Sequence, residues 1–160
     1  MVGLRPAARA IVIKDGHLLV MRRRKNDGRQ YMVTPGGRLE PDENQIEAVM
    51  RELAEETMVT VKDPRLVYVE EPNDGRWGTQ YIYLCSYESG EPKLHPDSEE
   101  LAANTAGADL YEPMWYPLDR LPDPDYPFRS ERLGEEITIA VKSGFPEVAK
   151  QWRLEPPVLE

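Results

Sequence analysis

Gly37, then Glu43, then Arg51-Glu52-Leu53-Ala54-Glu55-Glu56-Thr57-Met58-Val59 is the stretch on which the reading of this chain turns. At about 100° per residue on a helix, Ile46, Val49, Met50, Leu53 and Thr57 fall on one stripe, the pattern of a core-facing side. Glu52, Glu55 and Glu56 fall together beside it. Carboxylates crowded within a turn repel one another by roughly a few tenths of a kcal/mol per pair in water, and by more where burial lowers the dielectric. A cation should therefore sit among them, and hard divalent cations bind carboxylate oxygen. The plain alternative is a solvated face, which is what most acidic runs on helices are. The neighbouring residues weigh against it. Pro35-Gly36-Gly37 precedes the helix, and adjacent glycines let backbone groups approach a ligand closely. Arg51 follows Glu43 at eight residues and Glu47 at four, placed to tie acidic side chains down with an always-charged fork.

This spacing resembles the signature of the Nudix hydrolases; eight of its nine fixed positions are met, and the ninth, a Gly, is Met58 here. The resemblance is strong from Arg5 to Val61 and weaker in Trp115-Tyr116-Pro117-Leu118-Asp119-Arg120-Leu121. It implies an α/β fold, a Nudix-type α/β/α sandwich with a mixed β-sheet, as a single domain over residues 1–160. The family's Gly ends the catalytic helix, where left-handed backbone is common, so Met58 is expected to carry strain of about 1 kcal/mol.

Carried over position by position, the resemblance implies that Glu52 and Glu56 bind metal and that Glu55 binds metal or assists a water. The Gly36 carbonyl matches a backbone ligand, Gly37 belongs to the loop that meets substrate, and Arg51 with Glu43 resembles the orienting pair. A further glutamate from a distant loop completes the site in several members; Glu100 and Glu99 are the candidates, with Glu112 behind them. The implied cofactor is Mg²⁺, with Mn²⁺ as the alternative, and the implied partner is a small nucleotide or nucleoside diphosphate derivative. Metal charge on the phosphate oxygens then permits water to split a phosphoanhydride. A silent nucleotide sensor and an interaction scaffold are the competing readings, and a homodimer is common in the family.

Substrate contacts are expected from Arg22 and Arg23 in the run Arg22-Arg23-Arg24-Lys25, which could meet polyphosphate or simply end a hairpin. Trp77, Tyr81 and Tyr83 could stack a base, against sheet packing as the plainer role. Pro72 lies thirteen residues past the motif, close to but not at the spacing associated with ADP-ribose hydrolases.

Composition fits one compact enzyme domain: 160 residues, 40% hydrophobic and 31% charged. A formal net charge of −9 argues against duplex nucleic acid and anionic membranes as partners. A single cysteine, Cys85, excludes an internal disulfide and reads as a buried small hydrophobe. With no signal segment or long apolar run, a reducing cytoplasm is the expected compartment. His17 and His95 are too isolated to make a metal site.

Ala8 to Ile13 and His17 to Arg22 read as strands joined by an Asp15-Gly16 turn. Tyr31 to Thr34, Val59 to Val61, Arg65 to Glu70, Thr79 to Tyr87 and Trp115-Tyr116 read as further strands. The motif helix is expected to start after Asp42 as N-cap and to run to Thr57. Ser130 to Lys142 and Pro146 to Trp152 are expected as C-terminal helices.

Overall fold

A computed structural model describes residues 3–157. β1 (Ala7–Lys14) turns into β2 (His17–Arg24) through Asp15 and Gly16, whose φ values of 50° and 74° suit a tight hairpin turn. β3 (Gln30–Val33), β4 (Gly36–Arg38) and α1 (Gln45–Thr57) follow, then β5 (Thr60–Glu71) and β6 (Gln80–Ser89). Then come α2 (Glu99–Thr105), β7 (Leu110–Pro117), a 3-10 turn at Leu118–Arg120, α3 (Glu131–Ser143) and β8 (Lys150–Arg153). Among the described residues the strands form one sheet in the order β3-β2-β1-β6-β5-β8, with β4 on β1 and β7 on β2. The sheet is mixed: β1 runs parallel to β6 and β5 parallel to β8, while the other pairs are antiparallel.

Alternation along β1 shows how the two faces are filled. Ala8, Ala10 and Val12 pack with Ala48, Val49 and Leu53 of α1. Ile11 and Ile13 face the other way, toward Leu133 and Ile137 of α3. A period of two on the strand thus gives each helix its own apolar layer. Fully burying one Val or Leu in such a layer contributes about 1.5–3 kcal/mol. The result is the expected α/β/α sandwich, and it carries α1 across one face with its glutamates beside the β4 loop.

Several local expectations are corrected. Pro146 to Trp152 does not form a helix; Lys150–Arg153 is a strand paired with β5, and Trp152 packs into the α3-side core. The N-cap of α1 is Asn44, not Asp42: its side chain accepts from Glu47 N while Glu47 Oε1 accepts from Asn44 N. Ile46, placed on the core stripe by periodicity, is 45% exposed in the first turn of α1. Ala48 occupies the buried position instead. The two strand segments after the motif are one bulged strand, β5.

Met58 does take the left-handed conformation, at φ 58° and ψ 20°, with its N–H bonded to Ala54 O. Met58→Gly is therefore expected to stabilise the protein by about 0.5–1 kcal/mol, read as a higher urea midpoint. Cys85 is 4% exposed and burial pushes its thiol up to about 12. It is expected to stay inert to a neutral disulfide reagent until the protein unfolds; labelling at the rate of a free thiol in the native state would contradict its burial.

Candidate active site

Arg51, on the exposed shoulder of α1, gathers the acidic groups. Its Nε and one terminal nitrogen donate to both oxygens of Glu43, at 2.6 and 2.8 Å. The other terminal nitrogen donates to Glu52 at 3.0 Å and to Glu55 at 3.4 Å. This bidentate pairing holds the Glu43 carboxyl down at about 2 and holds Arg51 well above its ordinary value. Glu47 is absent from this network because the N-cap occupies it.

Glu52 presses on the loop that precedes α1. A Cβ added to Gly37 would lie 2.5 Å from Glu52 Oε1, so any larger residue there would push the Glu52 carboxylate aside. Burial raises the Glu52 carboxyl, Arg51 opposes the rise, and Glu55 and Glu100 add to it. Glu56 is deeper. Its Oε2 accepts from Gly36 N at 3.0 Å, and burial, with Glu52 next, pushes it up to about 8. Gly36 N–H and the charge of Arg9 oppose that rise, and Glu100 adds to it. Gly36, at φ 150°, crosses so close to β1 that a Cβ would collide with Ala8 O and Arg9.

Glu100, whose charge acts on Glu52 and Glu56, lies on α2, a short helix capped by Ser98 that the sequence reading missed. Residues 90–109 fold over the end of α1, where Lys93 N and His95 N donate to Thr57 O and Glu55 O. Asn104 clasps the backbone of Tyr111 at 2.7 and 2.9 Å, fixing α2 to β7. A serine followed by two acids is a legible cap signal, and it could have located the helix. Glu112 lies elsewhere, paired with Arg22 at 2.6 Å.

The basic run is split by the strand that carries it. Arg22 and Arg23 are neighbours on β2 and project from opposite faces. Arg22 stacks over Tyr126, its guanidinium carbon 4.5 Å from the ring centre. Arg23 lies 4.2 Å from the ring centre of Tyr111 and 5.5 Å from that of Tyr31, donates to Tyr111 Oη at 2.6 Å, and leaves a sealed Nε without a partner. The pair cannot grip one phosphate together. Trp77 is not a free stacking face either, since the Arg38 guanidinium carbon lies 4.1 Å and that of Arg9 5.5 Å from its ring centre. Tyr81 and Tyr83 belong to the α1-side core, Tyr83 donating to Gln45.

Among the described residues, no three His, Cys, Asp or Glu side chains converge into a ready-made metal cage. The donor set fits a cation of a particular kind. Glu56 is a half-buried carboxyl without an ion-pair partner among the described residues, one turn from Glu52, at the end of a glycine loop. That suits an ion such as Mg²⁺, which keeps several waters and takes phosphate oxygens as ligands.

Comparison with known proteins agrees with this geometry. The pattern of the NUDIX domain matches residues 3–135. Human 8-oxo-dGDP phosphatase NUDT18 is 29% identical over 111 residues, 69% of this chain and 31% of the relative. The chain spans about a third or less of the curated relatives it matches. A MutT NUDIX hydrolase from Burkholderia pseudomallei superposes with TM-score 0.63 at 27% identity, covering 84% of this chain and 98% of the other. An ADP-ribose pyrophosphatase from Streptococcus suis superposes with TM-score 0.62 at 21% identity, covering 94% and 98%, which shows likeness of fold. The chain belongs to the Nudix family. No helix among the described residues is long and apolar enough to cross a membrane.

Proposed function

We propose that this chain is a metal-dependent pyrophosphohydrolase that cleaves the phosphoanhydride of a nucleoside diphosphate derivative by water attack. The observation that carries the reading is the half-buried Glu56 carboxyl, without an ion-pair partner among the described residues and one helical turn from Glu52 at the Gly36-Gly37 loop. Glu52, Glu56 and the Gly36 carbonyl would hold Mg²⁺ or Mn²⁺. Bound there, the ion supplies the charge that neutralises phosphate oxygens and favours attack by water. Arg51, clamped by Glu43, holds Glu52 and Glu55 in place. Glu55, half exposed, accepts the proton of the attacking water, and Glu100 closes the acidic ring from α2. Arg23, fixed between two tyrosines, meets the polyphosphate on the α1 side; Arg22 is assigned to its ion pair with Glu112. The human relative, an 8-oxo-dGDP phosphatase, supports a nucleoside diphosphate as substrate class.

The test is to incubate the full chain with Mg²⁺ and a panel of nucleoside triphosphates, nucleotide sugars and ADP-ribose, and to follow mononucleotide release. Turnover that chelation abolishes and Mg²⁺ restores is the expected result. Nucleotide binding with no turnover of any compound would favour the silent sensor, and neither binding nor turnover the scaffold.

A further inference from the structure

We infer that Arg9 is a further substrate-binding residue, which takes an oxygen of the diphosphate from behind the Gly36-Gly37 loop; this rests on the hydrolase reading above. Arg9 stands between Ala8 and Ala10, which face α1, so its side chain projects to the opposite face of β1. There Nε donates to Gln80 Oε1 at 2.8 Å and one terminal nitrogen to Thr34 O at 3.0 Å. Both acceptors are neutral, and no carboxylate among the described residues lies within ion-pair range. The other terminal nitrogen has no hydrogen-bond partner among the described residues. The guanidinium is thus held on two sides, with donors to spare.

Its position gives those donors a use. Arg9 is the register partner of Gly36, and the acids whose charge acts on it are Glu56, Glu52 and the buried Glu70. A guanidinium in a partly dehydrated site, near acids it does not touch, suits an anion arriving between them. Arg38, one residue past Gly37, covers the ring of Trp77, which also lies beside Arg9. Trp77 therefore acts as a wall behind two arginines. A fork fixed by Gln80 and Thr34 offers a phosphate charge-assisted hydrogen bonds without first losing side-chain freedom. The simpler role, a strut for the loop, uses the same two hydrogen bonds but requires no anion.

The discriminating experiment measures binding of inorganic pyrophosphate with Mg²⁺ by calorimetry, on wild type, Arg9→Gln, Arg9→Lys and Gln80→Met, with KM and kcat on the best compound of the panel. Arg9→Gln is expected to weaken pyrophosphate by about ten- to a hundredfold and to raise KM alike, with kcat changed less. Arg9→Lys should recover part of the affinity, and Gln80→Met, which frees the fork while keeping its charge, should lose severalfold. A folded Arg9→Gln protein with wild-type affinity, or losses confined to kcat and melting temperature, overturns the proposal, as does a wild type that does not bind pyrophosphate. Should Arg9→Gln not fold, wild-type affinity in both Arg9→Lys and Gln80→Met has the same force. Wild-type turnover indifferent to Arg9 rejects this role alone. Pyrophosphate binding that needs Arg9, in a protein that turns over no nucleotide, rejects the hydrolase reading instead.

Discussion

Glu56→Gln is expected to lower turnover by about 10²–10⁴-fold while making the metal-free protein more stable at neutral and alkaline pH. Both effects come from one half-buried carboxyl. In the folded chain it holds its proton up to about 8, against an ordinary value of 4.5. Between those limits the folded state binds more protons than the unfolded one, so stability falls as pH rises. The stabilising contribution is complete below about pH 4.5 and is lost by pH 8, a change on the order of a few kcal/mol. Glutamine has no proton to lose and should remove this slope. Urea unfolding in chelator from pH 5 to 9 measures it: the wild-type midpoint should fall across the range while that of the variant stays nearly level. Adding Mg²⁺ should flatten the wild-type decline, because an ion bound only by the folded state stabilises it. A wild-type midpoint that rises across this range would show that Glu56 ionises without difficulty, and the argument for a cation there would fail.

Arg51→Met is expected to be among the most destabilising changes on the surface of α1. The guanidinium holds Glu43, Glu52 and Glu55 at once, and the Glu43 and Glu52 side chains are only 12% and 15% exposed. Removing one partner of such a network leaves the others desolvated and unpaired, which costs about 3 kcal/mol and lowers Tm by roughly 6–12 °C. The acid side carries a second signature. Glu43 is depressed to about 2 by Arg51, so its contribution is present above about pH 4.5 and disappears as pH falls toward 2. Unfolding followed from pH 5 down to 2 should show a shallower acid decline in the variant. A loss below about 0.5 kcal/mol, with an unchanged acid limb, would mean that these contacts behave as ordinary exposed ion pairs.

The parts legible in the sequence are those in which local pattern and tertiary packing agree. The apolar and acidic stripes of α1, the Asp15-Gly16 hairpin and the left-handed Met58 all follow from backbone rules acting over a few residues. The failures occur where distant contacts decide. Lys150–Arg153 carries little strand signal, yet β5 offers it an edge and Trp152 finds Glu70 as acceptor at 2.7 Å. α2 has no buried residue and so no periodicity to read; Ser98 and the Asn104 clasp on Tyr111 hold it. In the candidate site, the motif singled out the glutamates that lie beside the Gly36-Gly37 loop, but not how the fold separates the cations around them. A run of four basic residues looks like one patch in sequence, and the pleat of β2 separates Arg22 from Arg23. Arg9, in an apolar strand far from the motif, gave no signal until Thr34, Gly36 and Gln80 were brought around it.

The pairing of β8 with β5 also bears on how the chain is made. Until Lys150–Arg153 has left the ribosome, β5 presents an unsatisfied row of amides and carbonyls, and the Glu70 carboxyl lacks the indole that later covers it. A nascent chain stalled short of that point would carry α1 and most of its sheet, together with an adhesive border open to any neighbouring strand. Pairing with Lys150–Arg153 thus removes from β5 a border on which aggregation could be seeded.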